Sequence, residues 1–174
     1  DVTLDPGKRT FNTFYSSDGI CGKLGHNVDG VIKKIYKKID KYTSLKENEN
    51  KNKNKKTKRN LNNRCLKLRT KIKNIVGDLR RKTASFLCNN FKNIIIPKFG
   101  KDILKNNKKI NRKTKRILSA LSHGAFLETL KYKAKLNGNK LIICTEEFTS
   151  KTCGKCGTLN EKLNGKKIFS CSKC

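Results

Sequence analysis

The sequence contains no tryptophan and no methionine, only two prolines, and few acidic residues. Asp and Glu number 13 against 43 Lys and Arg, so the formal net charge is +30. No apolar run approaches the roughly 20 residues of a membrane span, and we expect no signal peptide. These absences predict a soluble, intracellular protein without a membrane partner. So large a positive charge favours a polyanionic partner, above all nucleic acid, because each neutralised phosphate releases counterions.

The eight cysteines divide into two groups. Four are scattered, mostly in apolar surroundings, and are interpreted as reduced core side chains: Cys21, Cys65, Cys88 and Cys144. The other four form a C-x2-C-x14-C-x2-C pattern, namely Cys153, Cys156, Cys171 and Cys174. Two such thiolate pairs are typical of a tetrahedral structural Zn(II) site in a zinc ribbon. Two disulfides are the alternative, but nothing in the sequence indicates an oxidising compartment.

The polarity pattern predicts a mixed α/β domain. Alternation or short apolar runs predict five strands, near residues 2–4, 11–15, 20–24, 93–97 and 140–148. Helical spacing predicts three helices, at residues 29–45, 63–89 and 114–136, with the last ending at Gly138. Residues 46–60 contain no apolar side chain. We therefore expect a flexible basic segment over about 46–62, either a solvated linker or a polyanion-contacting loop.

Asp5 is the first candidate for a chemical role, because it lies at the end of the first predicted strand, before Pro6 and Gly7. Ligands of α/β sheets tend to lie in the crevice at strand ends. A turn-forming aspartate is the alternative interpretation. Glu146 also ends a predicted strand, and two converging carboxylates could hold Mg(II). Sequence spacing alone does not show that the two strands are neighbours.

A resemblance to a known family rests on stretches that occur in order along nearly the whole chain: "LDPGKRTF", "IIIPKFG", "NRKTKRILSALSHGAFLETLKYKAKLNG", "TEEFTSKTCGKCG" and "FSCSKC". Together they resemble the RuvC nuclease and zinc-ribbon part of TnpB proteins. These are transposon-encoded, RNA-guided DNA endonucleases, and their eukaryotic and viral relatives are called Fanzors. The resemblance implies an RNase H-like (RuvC) fold with a mixed sheet and helices over residues 1–148, and a zinc ribbon over 149–174.

The resemblance also implies an active site of three acids that hold catalytic Mg(II). Asp5 matches the first. The second acid usually follows the fourth strand, where this chain has Pro97, which cannot bind a metal. Fanzors share this departure and use a glutamate three residues before the Thr of "TSKTC", which corresponds to Glu146. Glu147 is the alternative and would face the other side of a strand; that neither serves is also left open.

The third acid of the family lies beyond the position of Cys174, and its RNA-gripping domains precede the first nuclease strand. We therefore expect a fragment or a decayed copy that does not cleave DNA as written, whereas the complete protein would bind target DNA and guide RNA. The expected compartment is the nucleus for a eukaryotic or viral host, and the cytoplasm or nucleoid for a bacterial one. Oligomeric state is not predicted. The alternative functions are a non-catalytic zinc-ribbon module that binds nucleic acid and, more weakly, a DNA-joining transposase.

Two further residues have open interpretations. Arg9 could contact a phosphate near Asp5 or be a surface charge. His123 could pack within a helix or contact a nucleic-acid phosphate.

Overall fold

A five-stranded sheet forms the centre of the fold in the computed structural model, which describes residues 1–51, 55–98, 110–145, 147–149, 151–160 and 169–174. The strands are β1 (Val2–Pro6), β2 (Thr10–Ser16), β3 (Cys21–His26), β4 (Asn93–Pro97) and β5 (Lys140–Cys144). Their order across the sheet is β3-β2-β1-β4-β5. The β1–β2 and β2–β3 pairs are antiparallel, whereas β1 and β4 run parallel, so the sheet is mixed as predicted.

The alternation of side chains along β1 gives the sheet a buried and an exposed face. Val2 and Leu4 are buried in the core, whereas Thr3 and Asp5 are exposed. The register continues this pattern across β2, since Leu4 lies opposite Phe14 and Asp5 opposite Thr13. Directly opposed residues point to the same face of a sheet. Asp5 therefore lies on the exposed face.

Four helices accompany the sheet in the described part of the chain: α1 (Val28–Lys51), α2 (Lys55–Asn90), α3 (Arg112–Leu121) and α4 (His123–Asn137). Apolar side chains from both helices and strands form one core cluster, which includes Ile32, Leu87 and Phe126. Helix α4 ends at Gly138 in the left-handed conformation, as the sequence predicts, and the Gly138 N–H donates to the Ala134 carbonyl. Glycine adopts this backbone conformation without a steric penalty.

The prediction of a linker or loop over about residues 46–62 is wrong for the described residues of this segment, which are helical. Helix α1 continues to Lys51, and α2 already begins at Lys55. The two helices run antiparallel side by side, because Cys65 Sγ lies 3.9 Å from the Ile39 carbonyl and Arg64 covers the Tyr42 ring. Lysine is a good helix former, so the polar segment can extend the helices beyond the packed region. Its flexibility stays a prediction.

The single helix predicted over residues 114–136 is two helices. Ser122 separates them with φ 50° and ψ 59°, a left-handed conformation that ends α3. The Ser122 N–H still donates to the Leu118 carbonyl, and the Ser122 carbonyl accepts from Phe126 at 3.1 Å. The hydrophobic spacing passes through the break because both helices bury one face. The change of direction places His123 at the start of α4.

The last strand is also shorter than predicted, since β5 ends at Cys144 rather than near residue 148. Phe148 has φ 61°, and its carbonyl accepts hydrogen bonds from the N–H groups of Lys151 and Thr152. These bonds form a turn where a longer strand was expected. The chain divides into two compact units, Asp1–Ile143 and Cys144–Cys174. The predicted division after residue 148 stays a prediction.

Candidate functional site

Four cysteine thiols converge in the second unit. The Sγ atoms of Cys153 and Cys174 are 3.6 Å apart, those of Cys156 and Cys171 are 3.5 Å apart, and all four lie within 4.8 Å of one another. A tetrahedral zinc with Zn–S bonds of about 2.3 Å requires sulfur–sulfur separations of about 3.8 Å. The four predicted ligands therefore fit the geometry of a structural zinc ion.

The titration of these thiols also suits a dication. Hydrogen bonding, above all with Thr158, whose Oγ1 lies 3.2 Å from Cys156 Sγ, lowers the pKa of Cys156 to about 6. Contact with the neighbouring thiols, Cys153 first, raises the pKa of Cys174. Cys156 therefore ionises more readily than Cys174, because hydrogen bonds stabilise the thiolate of Cys156 and the protonated thiol of Cys174. A bound cation with charge +2 would favour the thiolate form of all four cysteines.

The backbone around the first two cysteines forms the tight turn that a metal knuckle needs. Gly157 has φ 73°, and its N–H donates to the Cys153 carbonyl at 2.9 Å. The Cys153 N–H in turn donates to the Thr158 carbonyl at 2.9 Å. Asn160 Nδ2 donates a hydrogen bond to the Ser170 carbonyl, which connects the segment of the last two cysteines to that of the first two. The cysteines are therefore held in place by bonds of the chain itself.

Of the scattered cysteines, the structure buries Cys65 and Cys88, leaves Cys144 half-buried and exposes Cys21. The core prediction is wrong for Cys21, because it begins the edge strand β3, where its side chain points to the exposed face opposite Tyr15.

Asp5 occupies the exposed face near the carboxyl end of β1. Its carboxylate makes no hydrogen bond or ion pair with any residue that the structure describes. Val2 and Thr3 pair with Ile94 and Ile95 of β4. Continued by two residues, this register brings Asp5 level with Pro97. The neighbouring strand therefore offers no carboxylate beside Asp5, in agreement with what the family resemblance implies.

Strand β5 is the next strand after β4 in the sheet. The Lys140 N–H donates to the Lys92 carbonyl at 2.9 Å, so the chain enters β4 and β5 at the same edge. Glu146 lies outside the described residues. Glu147 is exposed in a turn beyond the end of β5. Because β5 ends at Cys144, strand alternation does not decide between the two glutamates, and the choice of Glu146 depends on the family resemblance alone.

Side chains at the start of α3 and of α4 make hydrogen bonds with the turn that follows Asp5. Lys8 Nζ donates to Thr114 Oγ1 at 3.4 Å, in the first turn of α3. His123 Nε2 lies 3.1 Å from the Gly7 carbonyl oxygen. His123 is 2% exposed, so it packs inside the protein and cannot contact a phosphate. Arg9 in the same turn is exposed and has no ion pair within the described ranges.

The His123–Gly7 contact was not predicted, because it joins residues 116 positions apart. The available signals were a helical histidine beside a glycine and a phenylalanine, "SHGAF". This pattern does not reveal the partner. Burial lowers the pKa of His123 to about 4, against a smaller opposing effect of the Gly7 carbonyl. The ring is therefore neutral at physiological pH.

Comparison with known proteins gives this geometry a context. The family model for the "Cas12f1-like, TNB domain" matches residues 123–174, which include α4, β5 and all four clustered cysteines. A TnpB-like protein of Acanthamoeba polyphaga mimivirus is 34% identical over 98% of this chain and 33% of its own length. A candidate transposase of the same virus is 34% identical over 97% of this chain and 35% of its own length. The chain is therefore similar to TnpB-like proteins over nearly its whole length.

A solved structure supports the fold. One chain in the cryo-EM structure of a Cas12f1–sgRNA–target DNA complex matches 99% of the TnpB-like chain with a TM-score of 0.55, at 18% identity and over 44% of its own length. The α/β domain with its mixed sheet is thus the predicted RNase H-like (RuvC) fold, followed by a cysteine cluster consistent with a zinc ribbon. The TnpB-like chain spans about a third of the length of the curated relatives it matches. No described helix is long and apolar enough to cross a membrane.

Proposed function

We propose that the TnpB-like chain is the nuclease core of a Fanzor-like, RNA-guided DNA endonuclease that is encoded by a mobile element and depends on Mg(II). The observation that carries the proposal is the position of Asp5 on the exposed face of an RuvC-like sheet, near the end of a central strand. A carboxylate without a partner in the described residues is available to a cation or a substrate. The viral origin of the relatives supports the Fanzor-like assignment, and it favours the nucleus as the compartment.

Two different metals belong to this proposal. The four clustered cysteines would hold a structural Zn(II), because their sulfurs fit a closed tetrahedral site without a position for substrate. Asp5 and Glu146 would hold Mg(II), which prefers carboxylate oxygens and retains several waters. When bound there, Mg(II) would activate a water and stabilise the leaving oxygen of a phosphodiester. Pro97 beside Asp5 supports a carboxylate from outside β4, and Glu146 follows β5 by two residues.

The test of this proposal compares three substitutions in a protein of the relatives' length that contains these residues, together with its native RNA, Mg(II) and matched DNA. We expect Asp5→Asn and Glu146→Gln to reduce cleavage by orders of magnitude, since each removes a metal ligand. Glu147→Gln is the matched control, because it removes the same charge one residue away. Full activity of the Glu146 variant would remove this residue from the site. Intact DNA with the wild-type protein would contradict the proposed activity itself.

The helical hairpin of α1 and α2 offers a surface for the nucleic acids. Helix α2 is 36 residues long, or about 54 Å. Its only acid is Asp78, which pairs with Lys82 at 2.8 Å. The remaining lysines and arginines of α2 have no ion pair within the described residues, so they are available to phosphates. We assign target DNA and guide RNA as partners, with Arg9 as a phosphate contact near Asp5.

The same observation favours a second candidate function, a non-catalytic nucleic-acid-binding module. This function needs the unpaired cations and the zinc ribbon but no carboxylates. It predicts that log K for duplex DNA falls steeply with log salt, by about 0.9 for each phosphate contacted, and that Mg(II) produces no cleavage. Lys67→Gln with Lys71→Gln should reduce that slope, since both side chains are exposed on α2. Affinity that does not change with salt would contradict this function.

A further inference from the structure

The carboxylate of Asp5 depends on the backbone for its position. No described side chain donates a hydrogen bond to it, so the placement of β1 and of the turn that follows must orient it. Only Pro6 separates Asp5 from Gly7, at which the turn begins. A movement of the Gly7 peptide would therefore reach the carboxylate directly.

The turn is closed tightly at Gly7. The Gly7 N–H donates to the Phe11 carbonyl at 3.3 Å. A Cβ atom at this position would lie 2.9 Å from the Thr10 carbonyl oxygen, closer than real Cβ contacts allow. The backbone at Gly7 thus has little room, and its carbonyl points away from the closing bond towards α4.

The Gly7 carbonyl accepts a hydrogen bond from His123, whose ring has a defined orientation. A carbonyl oxygen can only accept, so the 3.1 Å contact requires the hydrogen to be on Nε2. The His123 ring stacks on Phe11, with centroids 4.9 Å apart and planes 14° from parallel. Phe11 in turn meets the edge of Phe126 at 5.1 Å. Because Phe11 and Phe126 are fully buried, the imidazole is held in one orientation by packing.

We propose that His123 is a positioning residue: its Nε2–H bond to the Gly7 carbonyl holds the turn after β1 and thereby fixes the Asp5 carboxylate for a divalent cation. The inference rests on the proposed function, which gives Asp5 its metal. His123 does not touch the metal or the substrate. It acts through the backbone of the turn, and the break at Ser122 directs it there.

Two amide substitutions separate positioning from packing. His123→Gln loses the ring but places its amide nitrogen near the position of Nε2, so it can still donate to Gly7. His123→Asn loses the same ring but is one carbon shorter and cannot reach. Both variants are prepared as the zinc-loaded chain, and their melting temperatures serve as the control for general stability.

Two measurements by NMR then report on the turn and on Asp5. The first is hydrogen exchange of the Gly7 amide. We expect it to rise about fivefold or more in His123→Asn, the factor for losing one buried hydrogen bond, and to stay near wild type in His123→Gln. The second is Mn(II)-induced broadening of Asp5 resonances as a probe of cation affinity. We expect Mn(II) binding to be about tenfold weaker in His123→Asn and unchanged in His123→Gln.

The outcomes distinguish this proposal from the proposed function. Equal behaviour of the two His123 variants in both measurements would overturn the positioning role. Faster Gly7 exchange with unchanged Mn(II) binding would also overturn it, because the turn would then not control Asp5. If Mn(II) broadens the resonances of residue 5 as strongly in Asp5→Asn as in wild type, Asp5 is not the ligand and the proposed metal site fails. The Gly7 exchange would then still decide whether His123 holds the turn.

Discussion

Replacing His123 with phenylalanine should remove a pH dependence from the stability of the folded chain. The substitution keeps an aromatic ring against Phe11 and removes a buried titratable group. Burial lowers the pKa of His123 from 6.5 to about 4. Since the unfolded chain keeps the ordinary value, it binds a proton between these two pH values and the folded chain does not.

The sign and size of the effect follow from proton linkage. Stability falls as pH falls wherever the unfolded state binds more protons. The contribution of His123 is thus complete above pH 6.5, is lost on acidification, and stops changing near pH 4. With the two pKa values above, wild type should lose about 2 kcal/mol of its free energy of unfolding between pH 7.5 and pH 5 on account of this residue. The full loss below pH 4 would be about 3 kcal/mol.

The assay is urea unfolding of the zinc-loaded wild type and of His123→Phe at several pH values from 7.5 to 5. The offset at pH 7.5 reports the lost bond to Gly7 and the altered packing. The change of that offset with pH reports the titration of His123 alone, because both proteins share every other ionisable group. A constant offset across this range would refute the reasoning, since it would mean that the folded chain protonates His123 as readily as the unfolded one.

Three further predictions concern other parts of the molecule. Gly25→Ala should destabilise the chain by about 1–3 kcal/mol in urea unfolding, because Gly25 has φ 65° and an added Cβ would lie 2.9 Å from Leu79 carbons; an unchanged midpoint would contradict this geometry. Arg116→Met should lower the free energy of unfolding by about 1 kcal/mol, because Arg116 pairs with Asp40 of α1 at 2.8 Å and covers the Tyr36 ring. Lys131→Met, which breaks an exposed ion pair within one helix, should lower the free energy of unfolding by less. A larger loss in Lys131→Met than in Arg116→Met would contradict this prediction. Cys153→Ser should weaken zinc binding by more than about 100-fold, beyond the loss caused by removing an outer hydrogen-bond partner; metal analysis that still finds one zinc per chain after dialysis against a chelator would exclude this cysteine as a ligand.

Much of the fold could be predicted because its signals are local. The apolar run "NIIIP" gives β4 at Asn93–Pro97, the range that the structure shows. The Gly138 cap ends α4 at the predicted place. Short-range cysteine spacing likewise identifies the cluster whose sulfurs meet in the second unit. In each case neighbouring residues along the chain carry all the information that the element needs.

The wrong predictions share a different cause. The linker prediction took an absence of apolar residues as an absence of structure. Helices α1 and α2 pack against each other outside the polar segment, and both continue into it. The helix break at Ser122 leaves no mark on the hydrophobic period. The contact of His123 with Gly7 depends on how α4 meets the β1–β2 turn. These features are decided by tertiary contacts, which single-sequence patterns do not contain.

The position of Pro97 connects the fold to the chemistry. In a parallel pair, residues at the same level lie about 4.8 Å apart, so a carboxylate beside Asp5 would most simply come from the end of β4. There the chain has a buried proline, which offers no ligand atom. A two-carboxylate site would then need an acid from a strand further away, and β5 is the next in the sheet. A turn held in place after β1 would matter in such a site, because no described side chain orients the Asp5 carboxylate.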